Sequence, residues 1–528
     1  MTTSPSAGFD EAVDASPSGH PRGLYVLFGA EMWERFSYYG MRALLVLYLT
    51  KHLKFSRAEA LDVYATYTGL VYLTPLLGGF LADKFLGQRK AILIGGSLMA
   101  LGHFAMAFEP LLNLALGLLI LGNGFFKPNI STMVGQLYPQ HDPRRDGAYT
   151  IFYMGINLGA FFSPLVCGTL GETIGWHYGF GAAGVGMVFG LTVFASLQGW
   201  LGTGGYPPGH HERGELRLLP ADWVHVALIT LVGVGIVSAA LTPAGAILRS
   251  VPTYGTSAVL AYWTVLAFAL IGFTMLLTRD RAVKAAGAHA AEPSPSAAQV
   301  TSEEGEETED VNASFTGAEW QRILVILIVA IFSIVFWMGF EQAGGTFTLF
   351  ADQKTERVLF GHDFPASWYQ SVNPLLIFIL APLFSILWTR LDRTRFGLTS
   401  TAKMGVGLIL LGLGFVIMAQ AEHAASTDGK VGPSWLAAVY LLNTLGELCL
   451  SPIGLSLVNK LAPARVASLM MAIWFLSTAV ANYLAGKLES LVEGRFDFWG
   501  FLILTSIVPG VILLALTPVL KKMGHGRL

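Results

Sequence analysis

Apolar runs as long as a bilayer is thick recur along most of this 528-residue sequence. A helix needs roughly 20 predominantly apolar residues to cross the hydrocarbon core, whereas a membrane-spanning strand needs about half as many. Runs of helical length stand at 24–49, 61–82, 91–108, 111–137, 148–170 and 178–201. A pair follows at 221–241 and 257–277, then six more at 320–349, 368–390, 400–420, 434–459, 466–490 and 497–520. In lipid a helix satisfies all its own backbone hydrogen bonds. The expectation is therefore an all-α integral membrane protein of fourteen spans, two six-helix bundles with two additional transmembrane helices between them.

Charge is scarce: 13% of residues, against roughly a quarter in a soluble domain. Lys and Arg (33) nearly cancel Asp and Glu (35), so the basic excess of a nucleic-acid partner is missing. The two cysteines, Cys167 and Cys449, lie in apolar stretches, which excludes a disulfide scaffold or a Cys-rich metal site. Twenty of the basic residues fall on the side of the two termini and eight on the other, which predicts both termini in the cytoplasm.

The domain reading follows. Residues 1–22 are a disordered cytoplasmic tail without the basic and apolar regions of a signal peptide, and 23–202 an N-terminal six-helix bundle. Residues 203–278 hold the inserted pair, and 279–318 are a cytoplasmic linker carrying Glu303, Glu304, Glu306, Glu307, Glu309 and Asp310. Residues 319–520 are the C-terminal bundle and 521–528 a cytoplasmic tail. The loops GGFLADKFLGQRK (Gly78–Lys90) and SILWTRLDRTRFG (Ser385–Gly397) each follow the second span of a half and set one acid, Asp83 or Asp392, among bases. Such internal repeats of spans are a mark of secondary transporters.

Once the loop and tail bases are set aside, five remain: Arg35, Arg42, Lys127, Arg322 and Lys487. The last two lie toward span ends, from which long side chains snorkel to water. The others are deep, and an ionisable residue in a span marks function by default. In EMWERFSYYGMR the residues Glu31, Glu34, Arg35, Tyr38, Tyr39 and Arg42 occupy one helical sector about 140° wide, with Glu31 and Arg35 spaced for an ion pair. Lys127 precedes Pro128, which predicts a local break there. Glu341 stands one turn beyond Trp337, while Asn443, Glu447 and Ser451 share a face. Asn157 and Asn373 add amides. A cavity with Arg42 and Lys127 on one side, Glu447 on the other and Glu341 in balance suits a ligand with a carboxylate at one end and an ammonium at the other. Tyr38, Tyr39, Tyr72, Trp337 and Trp474 would form rigid walls.

There is no GxxxxGKS/T loop for ATP, and the histidines form no metal pair within a span. His103 stands by itself, which predicts hydrogen-bonded packing. Neither a cofactor nor a metal is expected, and the driving energy falls to an ion gradient; carboxylates facing bases suit protons. A membrane-embedded enzyme would need a nucleophile–base pair that the sequence does not offer. A receptor that keeps the pocket without transporting would not need the coupling charges.

EMWERFSYYG resembles the ExxERFxYYG signature of the proton-dependent oligopeptide transporters, within the major facilitator superfamily. FYMGINLGAFFSP (Phe152–Pro164) is similar to that family's FYxxINxG signature, and the Gly78–Lys90 loop to the superfamily's loop motif. With GELCLSPIG and MAIWFLSTAVANYLAG the likeness extends over about residues 23–520, and the extra helix pair is similar to an insertion in bacterial members. The resemblance implies proton-coupled symport of di- and tripeptides across a bacterial inner membrane by alternating access. It implies that Arg42 and Lys127 hold the peptide carboxylate, Glu447 and Asn373 the amine, and Asn157 the peptide backbone. Ser451 is a further substrate-side candidate, and the five aromatics would line side-chain pockets. Glu341 would be the principal proton-linked carboxylate, paired with Arg42 or Lys127, with Glu31, Glu34 and Arg35 as the coupling network. The alternative is a proton-coupled carrier of another small anion or zwitterion, nitrate-like or amino-acid-like.

Overall fold

The computed structural model describes residues 19–206 apart from 140, 141, 143 and 203, residues 233 and 235, and residues 315–526 apart from 395, 396, 464, 465 and 493–496. The tail before residue 19, the acidic linker up to residue 314 and, apart from Gly233 and Gly235, the helix pair at 221–241 and 257–277 lie outside the described residues. The count of fourteen spans rests on that pair. Each of the other twelve runs coincides with a helix or with two consecutive ones.

The first half contains α1 (Arg22–Leu47), α2 (Arg57–Leu73), α3 (Pro75–Leu81), α4 (Gln88–Ala105), α5 (Leu112–Gln136), α6 (Arg144–Ser163) and α7 (Trp176–Ser196). Ser56 opens α2 with a capping box: its hydroxyl accepts from the Glu59 N–H and the Glu59 carboxylate accepts from the Ser56 N–H, at 3.3 and 2.9 Å. Pro75 cannot donate to the α2 ladder, so the second apolar run becomes two helices, α2 and α3. The loop motif then turns at Gly87, whose φ of +70° favours glycine.

Pro128 does not break its helix. α5 runs through it from Leu112 to Gln136, losing only the bond that the missing N–H would have made. The break lies elsewhere, where the sequence predicts one continuous span over 320–349. There α8 (Gly317–Phe340) ends, Glu341–Gly344 forms a 3₁₀ turn, and α9 (Thr346–Lys354) resumes past the Gly344–Gly345 pair. A small antiparallel hairpin, β1 (Val358–Leu359) with β2 (His362–Asp363), adds a strand pair to the expected all-helical chain. Then come α10 (Val372–Asp392), α11 (Ser400–Asp428), α12 (Ser434–Leu461), α13 (Ala467–Val492) and α14 (Phe498–Met523).

Nine of the described helices are long and apolar enough to cross a membrane. α1 is long enough but is not among them, because Glu31, Glu34 and Arg35 fall in every stretch of it of membrane length. Within the first half α1 packs on α6 and α7, and α4 on α5 and α7; within the second, α11 packs on α12 and α14, and α8 on α13. The halves meet where α2 packs on α13 and α6 on α10.

The two ends of this interface differ. His525 near the chain end bonds Gln321 at the start of α8 at 2.7 Å, so both lie at one face, here the terminal face. At the opposite, far face the halves are tied by charge. Arg57 binds Glu489 through Nε (2.5 Å) and Nη2 (3.0 Å), Lys51 binds Asp352 (2.8 Å), and Lys487 pairs with Asp62. The Glu172 carboxylate accepts from the backbone N–H groups of Ala366 and Ser367 at 3.0 and 2.9 Å. Toward the terminal face a cavity of about 630 Å³ runs between α6, α10 and α12, from Tyr153 and Glu447 past Ser451 to Asp392, Lys403 and Lys460. The halves are tied together at the far face, and the cavity between them lies toward the terminal one. Of the two bases expected to snorkel, Lys487 instead makes the pair with Asp62, and Arg322 is buried at 6% exposure.

Candidate functional site

α1 carries its charges on one face, and that face meets α5. Glu31 and Glu34 are fully buried, and Arg35 lies between them, with its Nε 2.5 Å from Glu34 Oε2 and 3.3 Å from Glu31 Oε1. Lys127 on α5 reaches Glu31 from the other side, and Asn123, one turn earlier, donates to Glu34 Oε1 at 3.1 Å. Two acids and two bases thus compensate one another, Glu31, Glu34 and Arg35 buried and Lys127 half-buried, and a buried ion left unpaired would cost several kcal/mol. Among the described residues one Glu31 oxygen and one Arg35 nitrogen have no hydrogen-bond partner.

Arg42, two turns along α1 from Arg35, crosses to the second half. Its Nε donates to the Tyr64 hydroxyl at 2.6 Å and its Nη2 pairs with Glu341. Glu341 stands at the end of α8, where its N–H still bonds the Trp337 carbonyl, and its carboxylate reaches across to α1. The guanidinium also lies 5.8 Å from the ring centres of both Tyr39 and Tyr64, within cation–π range. Of the two partners open to Glu341, Arg42 takes it and Lys127 is engaged by Glu31.

On the facing side the Asn373 amide donates to Glu447 Oε2 at 2.8 Å and to the Thr444 hydroxyl at 3.0 Å, and that hydroxyl donates to the Tyr440 carbonyl at 2.7 Å. Glu447 is 8% exposed, and among the described residues it makes no ion pair. It opens into the cavity next to Ser451 and Tyr153. Asn157 is buried one turn from Tyr153, donating to that residue's carbonyl at 3.0 Å.

The aromatics divide. Tyr39, Tyr72 and Trp337 are half-buried. Tyr38 is 1% exposed, stacked on Tyr67 at 6.4 Å with the Arg35 guanidinium 5.1 Å from its ring centre, and so braces the charge cluster. Trp474 is buried against Gly454, where it occupies the space of the missing side chain, so it joins α12 to α13. His103 is buried, but among the described residues neither ring nitrogen has a hydrogen-bond partner, contrary to the hydrogen-bonded packing expected of it. Among the described residues no group of His, Cys, Asp and Glu is placed to hold a metal.

Sequence reasoning passed over Asn123 and Tyr64. Asn123 lies four residues before Lys127 and Tyr64 eight before Tyr72, so helical spacing puts each on a face already in view.

The profile of the POT family matches residues 89–207 and 256–497. The chain belongs to that family. The uncharacterized transporter YclF of Bacillus subtilis is 35% identical over 97% of this chain and 96% of its own length. The di-/tripeptide transporter of Lactococcus lactis subsp. cremoris is 33% identical over 96% and 98%. Among solved structures, a peptide transporter POT in complex with sulfate is 34% identical, with a TM-score of 0.76 over 98% of this chain and 99% of the other. A POT family transporter in complex with 5-aminolevulinic acid is 28% identical, with a TM-score of 0.75 over 97% and 99%. The fold of this POT-family chain is that of the major facilitator superfamily.

Proposed function

We propose that this chain is a proton-coupled symporter that imports di- and tripeptides by alternating access across a bacterial inner membrane, with both termini in the cytoplasm. The observation that carries the reading is the Arg42–Glu341 pair, which joins the two halves and engages the guanidinium that would bind a peptide carboxylate. A proton on Glu341 removes that competitor, and Arg42 then accepts the carboxylate. Lys127 is engaged in the same way by Glu31 and is freed when Glu31 takes a proton. Glu447, which has an amide and no cation beside it, receives the peptide ammonium, with Asn373 holding its other side. Asn157 and Ser451 bond the peptide between these ends, and Tyr39, Tyr72 and Trp337 border its side chains. Substrate and proton together satisfy charges from both halves and favour the closed far face; release toward the terminal face follows down the cavity.

The names of the relatives support the cargo, and Glu447, without an ion pair among the described residues, supports a zwitterion over a plain anion. The complex of a relative with 5-aminolevulinic acid, which has an amine and a carboxylate but no peptide bond, keeps an amino-acid-like cargo as a second reading.

The test is uptake of a labelled dipeptide into liposomes under an imposed pH gradient, with 5-aminolevulinic acid and nitrate as competitors. Each pH unit supplies about 1.4 kcal/mol per proton, or about tenfold accumulation. Glu341→Gln should abolish that accumulation and keep counterflow exchange. Unchanged accumulation would remove Glu341 from the coupling, and competition by nitrate alone would overturn the peptide assignment.

A further inference from the structure

The halves meet at the far face through bare backbone as well as through ions. At three places among the described residues a Cβ added to a glycine of one half would overlap an atom of the other. A Cβ on Gly486 of α13 would overlap the Ala65 Cβ and stand 2.8 Å from the Ala65 Cα and from the Leu61 carbonyl oxygen, both on α2. A Cβ on Gly168, beyond α6, would overlap the Ser367 hydroxyl and stand 2.9 Å from the Ser367 Cβ, ahead of α10. A Cβ on Gly344, between α8 and α9, would overlap the Tyr64 hydroxyl and stand 3.0 Å from Arg42 Nη2. Carbon atoms attract only at about 3.5–4.0 Å and repel sharply inside that distance.

Close glycine packing also occurs within a half, as between α4 and α5, where a Cβ on Gly95 would lie 2.6 Å from the Gly122 carbonyl oxygen. Such a contact is the same in every state of a carrier that rocks two rigid halves. Contacts between the halves are not, because they exist only while the far face is closed. At Gly486 and Gly168 the obstruction is set by Cα and Cβ atoms that cannot rotate away. At Gly344 it includes a hydroxyl held in place by Arg42, so a side chain there competes with the Arg42–Glu341 pair itself.

We propose that Gly168, Gly344 and Gly486 are positioning residues for closure of the far face: one methyl group at any of them opposes the closed state and leaves the open one untouched. The inference rests on alternating access and not on the identity of the cargo.

The test uses the full chain in detergent with two cysteine reporters, each read separately with a polar maleimide. Ser371→Cys lies at the far interface, where Ser371 is buried and its hydroxyl donates to the Phe161 carbonyl of the other half, and Ser456→Cys lies in the cavity toward the terminal face. Labelling of the buried native Cys167 and Cys449 is subtracted using each glycine variant without a reporter. Overpacking of this kind shifts a two-state balance by about tenfold or more. Gly486→Ala should therefore raise labelling at position 371 about tenfold and lower it at position 456, while Gly95→Ala should not produce opposed changes. Gly344→Ala should give the same opposed pair with a smaller amplitude, because the Tyr64 hydroxyl can yield. Unfolding raises both rates together, so parallel rises or unchanged rates in both Gly486→Ala and Gly344→Ala would overturn the proposal. If the parent's two rates do not shift when dipeptide and acid pH are applied, alternating access itself fails. If the parent responds and the variants match it, only the role of the glycines fails.

Discussion

The charge cluster of α1 and the carboxylate of α12 are both buried, but one is complete and the other is not. Glu31, Glu34, Arg35 and Lys127 balance to zero within the first half. Glu447 has an amide for a partner and a cavity in front of it. A buried ion pair is costly to break, because removing one member strands the other, whereas removing an uncompensated charge relieves a cost. The first arrangement therefore resists substitution through stability, and the second through what it binds. Glu341 combines the two: it is paired, but across the interface, so its partner is lost whenever the halves separate there.

Substitutions that separate stability from binding sharpen this contrast. Glu34→Ala leaves Arg35 and Lys127 to share Glu31, with one positive charge uncompensated and Asn123 without its acceptor, and should destabilise the protein by about 3–5 kcal/mol, read as a lower unfolding temperature in detergent. Glu447→Ala should leave that temperature unchanged or raise it. It should weaken binding of a free-amine dipeptide by about 2–5 kcal/mol, with a smaller loss for an N-acylated analogue, in a competition assay. If Glu447→Ala lowers the unfolding temperature as far as Glu34→Ala does, the contrast collapses. Asn123→Ala leaves one Glu34 oxygen unsatisfied and should cost about 1–3 kcal/mol of stability in the same melt, with dipeptide affinity preserved. Ser451→Ala, beside Glu447 in the cavity, should change dipeptide affinity by about 1 kcal/mol or less and stability not at all.

Much of the site was legible because membrane burial makes charge conspicuous. Glu31, Glu34, Arg35 and Arg42 stand out in an apolar run, and helical spacing is enough to put them on one face. Asn123 and Tyr64 were harder to see, because a neutral amide and a tyrosine are ordinary in a span until a charge is placed beside them. Trp474 and Tyr38 illustrate the converse. Their aromatic character suits a pocket wall, and it is the packed structure that shows a glycine across from one and a guanidinium beside the other. Pro128 and Glu341 show how far local rules reach. A proline removes one hydrogen bond, which a helix packed on both sides survives, while two consecutive glycines without side-chain packing did interrupt the span at Glu341.

The sequence by itself determined the membrane class, twelve of the helical runs and the charged face of α1, because length, apolarity and a 3.6-residue period are local properties of the chain. Only the tertiary structure decided which acid pairs with which base, that Arg42 reaches Glu341 while Lys127 turns to Glu31, and which face is closed. Those outcomes depend on distances between residues 299 positions apart for Arg42 and Glu341 and 432 for Arg57 and Glu489, which are set by how two bundles pack. Periodicity within one helix carries no information about that packing.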